Sequence, residues 1–123
     1  MKIDFNPTPG AIAIAAYGPG WIRVRDTRFE APCVVTPDGV HADLLPARLE
    51  ELDAGHLDRL LAFGAEIVLL GTGARQRFVD HALVTRLADA GVALEMMDTG
   101  AACRSFNILT SEDRAVIAAL FMI

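Results

Sequence analysis

From Asp53 to the C-terminus the chain alternates segments of helical period with short apolar runs, and that alternation restricts it to helices packed on a central sheet. Asp53 can cap a helix in which Leu57, Leu60 and Leu61 recur at helical spacing and which ends near Gly64. Glu66–Leu70 is a short β-branched and leucine run, suited to a strand buried on both faces of a parallel sheet, and Gly71-Thr72-Gly73 ends it. Asp80 caps a second helix with Leu83, Val84, Leu87 and Ala88 inward, and Gly91 stops it. Val92–Met97 is the next strand, and Thr99 caps a third helix running to about Leu109. The tail from Ala115 is apolar all round; it is short and follows a Ser111-Glu112-Asp113 turn, and we read it as a central strand. Such a β-α-β-α-β progression calls for right-handed crossovers.

The first third has a different pattern. Ala11–Tyr17 is apolar and stops at Gly18-Pro19-Gly20, a strong turn signal. Trp21–Arg25 alternates from Ile22 onward, Arg28–Val35 resumes an extended pattern, and Pro37-Asp38-Gly39 makes a hairpin turn before Val40-His41-Ala42. Trp21, Ile22 and Val24 anchor this β unit, and Pro46 closes it. Its exposed edge offers pairing to a second copy, although short edges carrying arginine commonly prevent such pairing.

A chain of 123 residues fits one domain with a real core. The hydrophobic fraction of 53% is high, yet no apolar run approaches the roughly 20 residues of a membrane-spanning helix. Met1–Pro7 has neither the apolar core of a secretory signal nor the arginine-rich character of an organellar presequence, which leads us to expect a soluble, cytoplasmic protein whose mature chain begins near here. Two cysteines, Cys33 and Cys103, are too few for a disulfide scaffold or a four-thiolate zinc site, and the expectation is reduced thiols. A net charge of -5 argues against nucleic-acid binding. Ten of the eleven basic residues are arginine, grouped in part as Arg23/Arg25/Arg28, Arg75/Arg77 and Arg104/Arg114; such groups can hold carboxylates or phosphates, but surface arginine needs no ligand.

The run Met97-Asp98-Thr99-Gly100-Ala101-Ala102-Cys103-Arg104-Ser105-Phe106-Asn107 gathers an acid, a hydroxyl, a thiol, a guanidinium and an amide just past a strand's carboxyl end, where open α/β sheets place their clefts. Together with Gly71-Thr72-Gly73-Ala74-Arg75-Gln76 it resembles the Mth-type domain family of unknown function, and the likeness spans essentially the whole chain. The family's eukaryotic branches include an assembly factor for mitochondrial respiratory complex I and an adipogenesis-associated Mth-domain-containing protein. The resemblance implies an α/β, three-layer fold with a mixed central sheet, its last strand antiparallel to the others, plus an N-terminal β unit. It brings no established catalytic activity. Gly100, Ser105 and Phe106 stand where the family often has Ala, Thr and Tyr, so any role of that phenol is lost here.

The candidate ligand-binding residues are Gly71, Thr72, Gly73, Arg75, Asp98, Thr99, Cys103, Arg104 and Asn107. Gly71-Thr72-Gly73 after a strand, with Asp98 ending the next, invites a nucleotide reading, but Gln76 replaces the third glycine and no phosphate-binding lysine follows; a plain tight turn fits better. Backbone N–H groups from Thr99 to Arg104 attract anions, and Arg104 with Arg75 or Arg77 can complete a pocket. The competing arrangement is internal: Asp98 satisfies those donors and Arg104 pairs with Asp98 or another acid. Cys103, early in a helix beside Arg104, has two features that lower a thiol pKa, but no histidine is tied to it, and a small buried cysteine is the plainer reading. Asn107 is expected to bond backbone near the helix end. His41, His56 and His81 lack metal-ligand spacing, so neither metal nor cofactor is expected, and Met96, Met97 and Met122 read as core filler.

These readings favour a noncatalytic adaptor or assembly-factor-like domain with an unknown protein partner. The alternative is a small-anion-binding or thiol-dependent enzyme using a cleft near Cys103 and Arg104. Either ligand site requires that the bend at residues 98 and 99 lie beside the glycine turn near position 72.

Overall fold

The computed structural model describes residues 3–4 and 13–123. The first described elements are antiparallel strands in the order β1 (Ile3–Asp4), β2 (Ile14–Gly18), β3 (Trp21–Val24) and β4 (Thr27–Phe29), forming a small four-stranded sheet. Ala11 and Ile12, the start of the expected first strand, lie outside the described residues, as do residues 5–10 and the first two of the chain. Pro19-Gly20 turns β2 into β3, with Gly20 at φ +79, a left-handed conformation that glycine adopts without cost. Ile22 and Val24 point into the core, while Trp21 stays half-exposed under the Arg28 guanidinium, 4.8 Å from its ring centroid.

Arg28–Val35 does not form one extended unit. Glu30-Ala31-Pro32 interrupts it, and Pro32, with no N–H to offer a ladder, marks the passage out of the small sheet. β5 (Cys33–Thr36) and β6 (Gly39–His41) then join a second sheet as a hairpin. Thr36 Oγ1 holds their turn by accepting from Asp38 N and Gly39 N, each at 3.1 Å. After a 3-10 turn at Leu49–Glu51 come α1 (Ala54–Leu61), β7 (Ile67–Thr72), α2 (His81–Asp89), β8 (Ala93–Met97), α3 (Thr99–Ser111) and β9 (Val116–Phe121). Asp53 and Asp80 cap α1 and α2 as their positions suggested, accepting from His56 N and Ala82 N. Ala88 is exposed and Val84 only half-buried, because α2 turns Leu83 and Leu87 towards the sheet.

The second sheet has the order β6-β5-β9-β7-β8. Its mixed character agrees with expectation, but the last strand is not antiparallel to the others: β9 runs parallel to β7, as β8 does, and it is β5 that runs against β9. The cause is α3, which carries the chain back across the sheet after β8, so that β9 starts from the same end as β7 and β8. β5 enters by another route, from the small sheet, and is free to take the opposite direction.

Two hydrophobic layers cover the two faces of this sheet. One face buries Val68, Leu70, Ile117 and Ala119 against Leu57 and Leu60 of α1 and Leu87 of α2. The other buries Leu69, Ala118 and Leu120 against Ala102, Cys103 and Phe106 of α3 and against Ile14, Ile22 and Val24 of the small sheet. β7 and β9 read as unbroken apolar runs because both their faces are covered. α1 and α2 are further joined by the Arg86 guanidinium, which donates to both Asp58 carboxylate oxygens at 2.8 Å.

Candidate functional site

The turn after β7 and the start of α3 do lie side by side. Thr99 N donates to Gly73 O at 2.9 Å, Gly73 N donates to Thr99 Oγ1 at 2.8 Å, and Thr99 Oγ1 donates to Phe121 O at 2.6 Å. One fully buried hydroxyl therefore links the ends of β7 and β9 to the first turn of α3. Gly71 is required by the same packing: a Cβ there would stand 2.9 Å from both Thr99 Oγ1 and a Leu120 methyl. Asp98, not Thr99, is the N-cap, its carboxylate accepting from Ala101 N at 2.8 Å. Thr99 sits one position too late to cap and is turned inward, where the strand ends compete for its hydroxyl.

Thr72 organises the following loop. Its buried hydroxyl lies 2.8 Å from Arg75 O and 3.1 Å from Met97 O as donor, and it accepts from Arg77 N at 3.0 Å. Gln76 Nε2 donates to Met96 O at 3.1 Å, so the position that denied a nucleotide motif its third glycine instead fastens the loop to β8. Arg75 is exposed and takes part through its carbonyl. Arg77 reaches across the carboxyl end of β7 and pairs with Glu50, whose other oxygen lies 3.2 Å from Arg48 Nε. Arg77 first, with Arg48, holds the Glu50 carboxyl below its ordinary range.

Cys103, Arg104 and Asn107 diverge from this cluster. Cys103 is fully buried, and burial pushes its thiol up to about 12, with the neighbouring Cys33 adding to the effect and Arg104 only partly opposing it. The helix start and the adjacent arginine therefore fail to produce a thiolate, because desolvation outweighs both. Cys33, equally buried, is also pushed up to about 12 by burial. Arg104 does not pair with Asp98; its Nη1 donates to the Tyr17 hydroxyl at 3.0 Å. Tyr17 fits there because residue 100 is glycine, and a Cβ at that position would collide with the phenol. Asn107 binds backbone, but that of β2: its Oδ1 accepts from Ile14 N at 2.9 Å and its Nδ2 donates to Ile14 O at 3.0 Å. The amide thus ties α3 to the small sheet where the β2–β3 register shifts.

Sequence reasoning located the Gly71–Gly73 turn, Thr99 and the Arg77 neighbourhood. It missed Tyr17, Arg48 and Glu50. No local spacing connects Arg48 or Glu50 with Arg77, and Tyr17 read only as the end of a strand.

A family model described as a protein of unknown function, DUF498/DUF598, matches residues 14–121. A zebrafish protein named NADH dehydrogenase [ubiquinone] 1 alpha subcomplex assembly factor 3 is 32% identical over 114 residues, covering 87% of this chain and 62% of its own length. The chain thus spans about three-fifths of that relative. Among solved structures, a Bordetella parapertussis protein superposes with a TM-score of 0.84 at 35% identity, covering 94% of this chain and 98% of its own. A Bordetella pertussis protein described as an Mth938-like domain gives 0.79 at 29% identity, covering 98% and 92%. A Bartonella henselae structure described as an outer membrane protein gives 0.80 at 31% identity, covering 94% and 98%.

Proposed function

The chain belongs to the DUF498/DUF598 family of Mth-type domains, and from that premise we propose that it works by association with a protein partner, as an assembly-factor-like adaptor without chemistry of its own. The observation that carries this reading is how the 71–107 motif is used. Thr72, Gly73, Asp98, Thr99 and Asn107 all direct their polar groups into the protein's own backbone. The thiol is buried and protonated at neutral pH. The motif is accordingly a device for joining strands, helix and small sheet into a rigid platform. An assembly-factor role is supported by the zebrafish relative's name; an association with respiratory complexes is the narrower form of the proposal. No described helix is long and apolar enough to cross a membrane. A cytoplasmic location is part of the same proposal, supported by the free thiols of Cys33 and Cys103.

Such a platform should display exposed apolar side chains where partners dock. Phe78, 75% exposed on the loop after β7, and Ile108, 58% exposed on α3, are large apolar groups of this kind. The test is in-cell crosslinking of the tagged full chain, followed by reciprocal purification with any candidate recovered. A single partner recovered in both directions, and reduced by Phe78→Ser or Ile108→Ser in a folded variant, is the expected result. Failure to recover any reproducible partner under mild crosslinking overturns the adaptor reading.

A further inference from the structure

β7 connects through α2, on one face of the sheet, to β8 on its one side, and β8 connects through α3, on the other face, to β9 on its other side. The connections therefore diverge between β7 and β9, and open sheets bind ligands outside the carboxyl ends of the strands at such a point. Here that point lies between Thr72 and Phe121, the last residues of the two strands, and both line a cleft of about 340 Å³. That volume falls within the usual range for small-molecule sites.

Arg48, Glu50 and Arg77 also line this cleft. Arg77 is positioned by its own N–H on the Thr72 hydroxyl, and the two guanidiniums share the Glu50 carboxylate, one oxygen each. Arg77 and Glu50 side chains are each 44% exposed, and that of Arg48 is 73% exposed. Ion pairs at this exposure contribute little to stability and exchange readily with competing ions. The cleft thus holds two converging guanidiniums already spaced for one carboxylate, with a displaceable internal carboxylate between them.

We propose that this cleft binds a small monocarboxylic acid, whose carboxylate displaces that of Glu50 between Arg48 and Arg77 and whose apolar body lies towards the half-buried Pro32 and Met122. A planar carboxylate is favoured because that is the shape the two guanidiniums already accommodate. A second acidic end is disfavoured because Glu30 lines the same cleft. This assignment stands apart from the adaptor reading and requires no protein partner.

The experiment is an amide NMR titration of the full chain with valerate, glutarate and inorganic phosphate, each at constant ionic strength. Saturable shifts at Glu50, Thr72 and Arg77 with valerate, weaker with glutarate and phosphate, are expected. Glu50→Gln removes the internal competitor and should tighten valerate binding about fivefold or more, since apparent affinity scales with the fraction of molecules whose site is free. Arg77→Gln, and independently Arg48→Gln, should weaken it while leaving the dispersed spectrum intact. Absence of saturation in both the native chain and Glu50→Gln overturns the proposal, as does weaker binding in Glu50→Gln or equal response to phosphate.

Discussion

Replacing Thr99 with valine tests whether one hydroxyl holds the strand ends to α3. Valine keeps the size and branching of threonine but neither donates nor accepts a hydrogen bond. The buried Gly73 N–H, 2.8 Å from Thr99 Oγ1, and the buried Phe121 carbonyl, 2.6 Å away, both lose that partner. Leaving a buried polar group unsatisfied costs about 1–3 kcal/mol, so the two together amount to about 2–6 kcal/mol. At roughly 4 °C per kcal/mol for a chain of this size, the melting temperature should fall by about 8–24 °C. Thr99→Ser is the control: it retains the hydroxyl and loses one buried methyl, at about 1 kcal/mol. Urea unfolding followed by circular dichroism measures both variants, with an unchanged m-value showing that the same surface is being exposed. If Thr99→Val is no more destabilising than Thr99→Ser, the hydroxyl does not join these elements and the account of the site is wrong.

Gly100→Ala should destabilise by about 1–3 kcal/mol through overpacking against Tyr17, despite the helix preference for alanine; a double-mutant cycle with Tyr17→Phe in thermal unfolding should recover part of that loss. Asn107→Ala removes two hydrogen bonds to the Ile14 backbone and should cost about 1–3 kcal/mol, with hydrogen exchange at the Ile14 amide accelerating more than at Val68 in the sheet interior. Burial pushes the Cys33 and Cys103 thiols up to about 12 in the folded chain, from an ordinary value of 9.0. Because the unfolded thiols ionise first, their contribution to stability is complete below pH 9 and declines as pH rises towards 12, by up to about 1.4 kcal/mol per pH unit for each. The native protein should correspondingly resist a thiol-specific disulfide reagent at pH 8 and consume two equivalents only once unfolded.

Local chemistry accounts for the parts of this fold that short stretches of chain control. Asp53 and Asp80 cap their helices because the side chain and the amides it serves are two or three residues apart. β7 and β9 are recognisable from their apolar continuity, and Pro37-Asp38 from its turn chemistry. Strand direction was different: the apolar run Val116–Phe121 is equally suited to either orientation, and α3's path across the sheet made it parallel to β7. The break at Glu30–Pro32 likewise became a change of sheet only once β5 found β9 as its partner.

The residues of the candidate site divide along the same line. Sequence alone established which polar groups follow the ends of β7 and β8, since those strands and their turns are continuous stretches of chain. Tertiary structure decided what each group meets: Thr99 the Phe121 carbonyl, Asn107 the backbone of Ile14 93 residues earlier, Arg104 the Tyr17 phenol, and Arg77 the carboxylate of Glu50. It also made Cys103 the small buried cysteine expected rather than an activated thiol, because desolvation depends on everything packed around a thiol, whereas the helix start and Arg104 are only its neighbours along the chain.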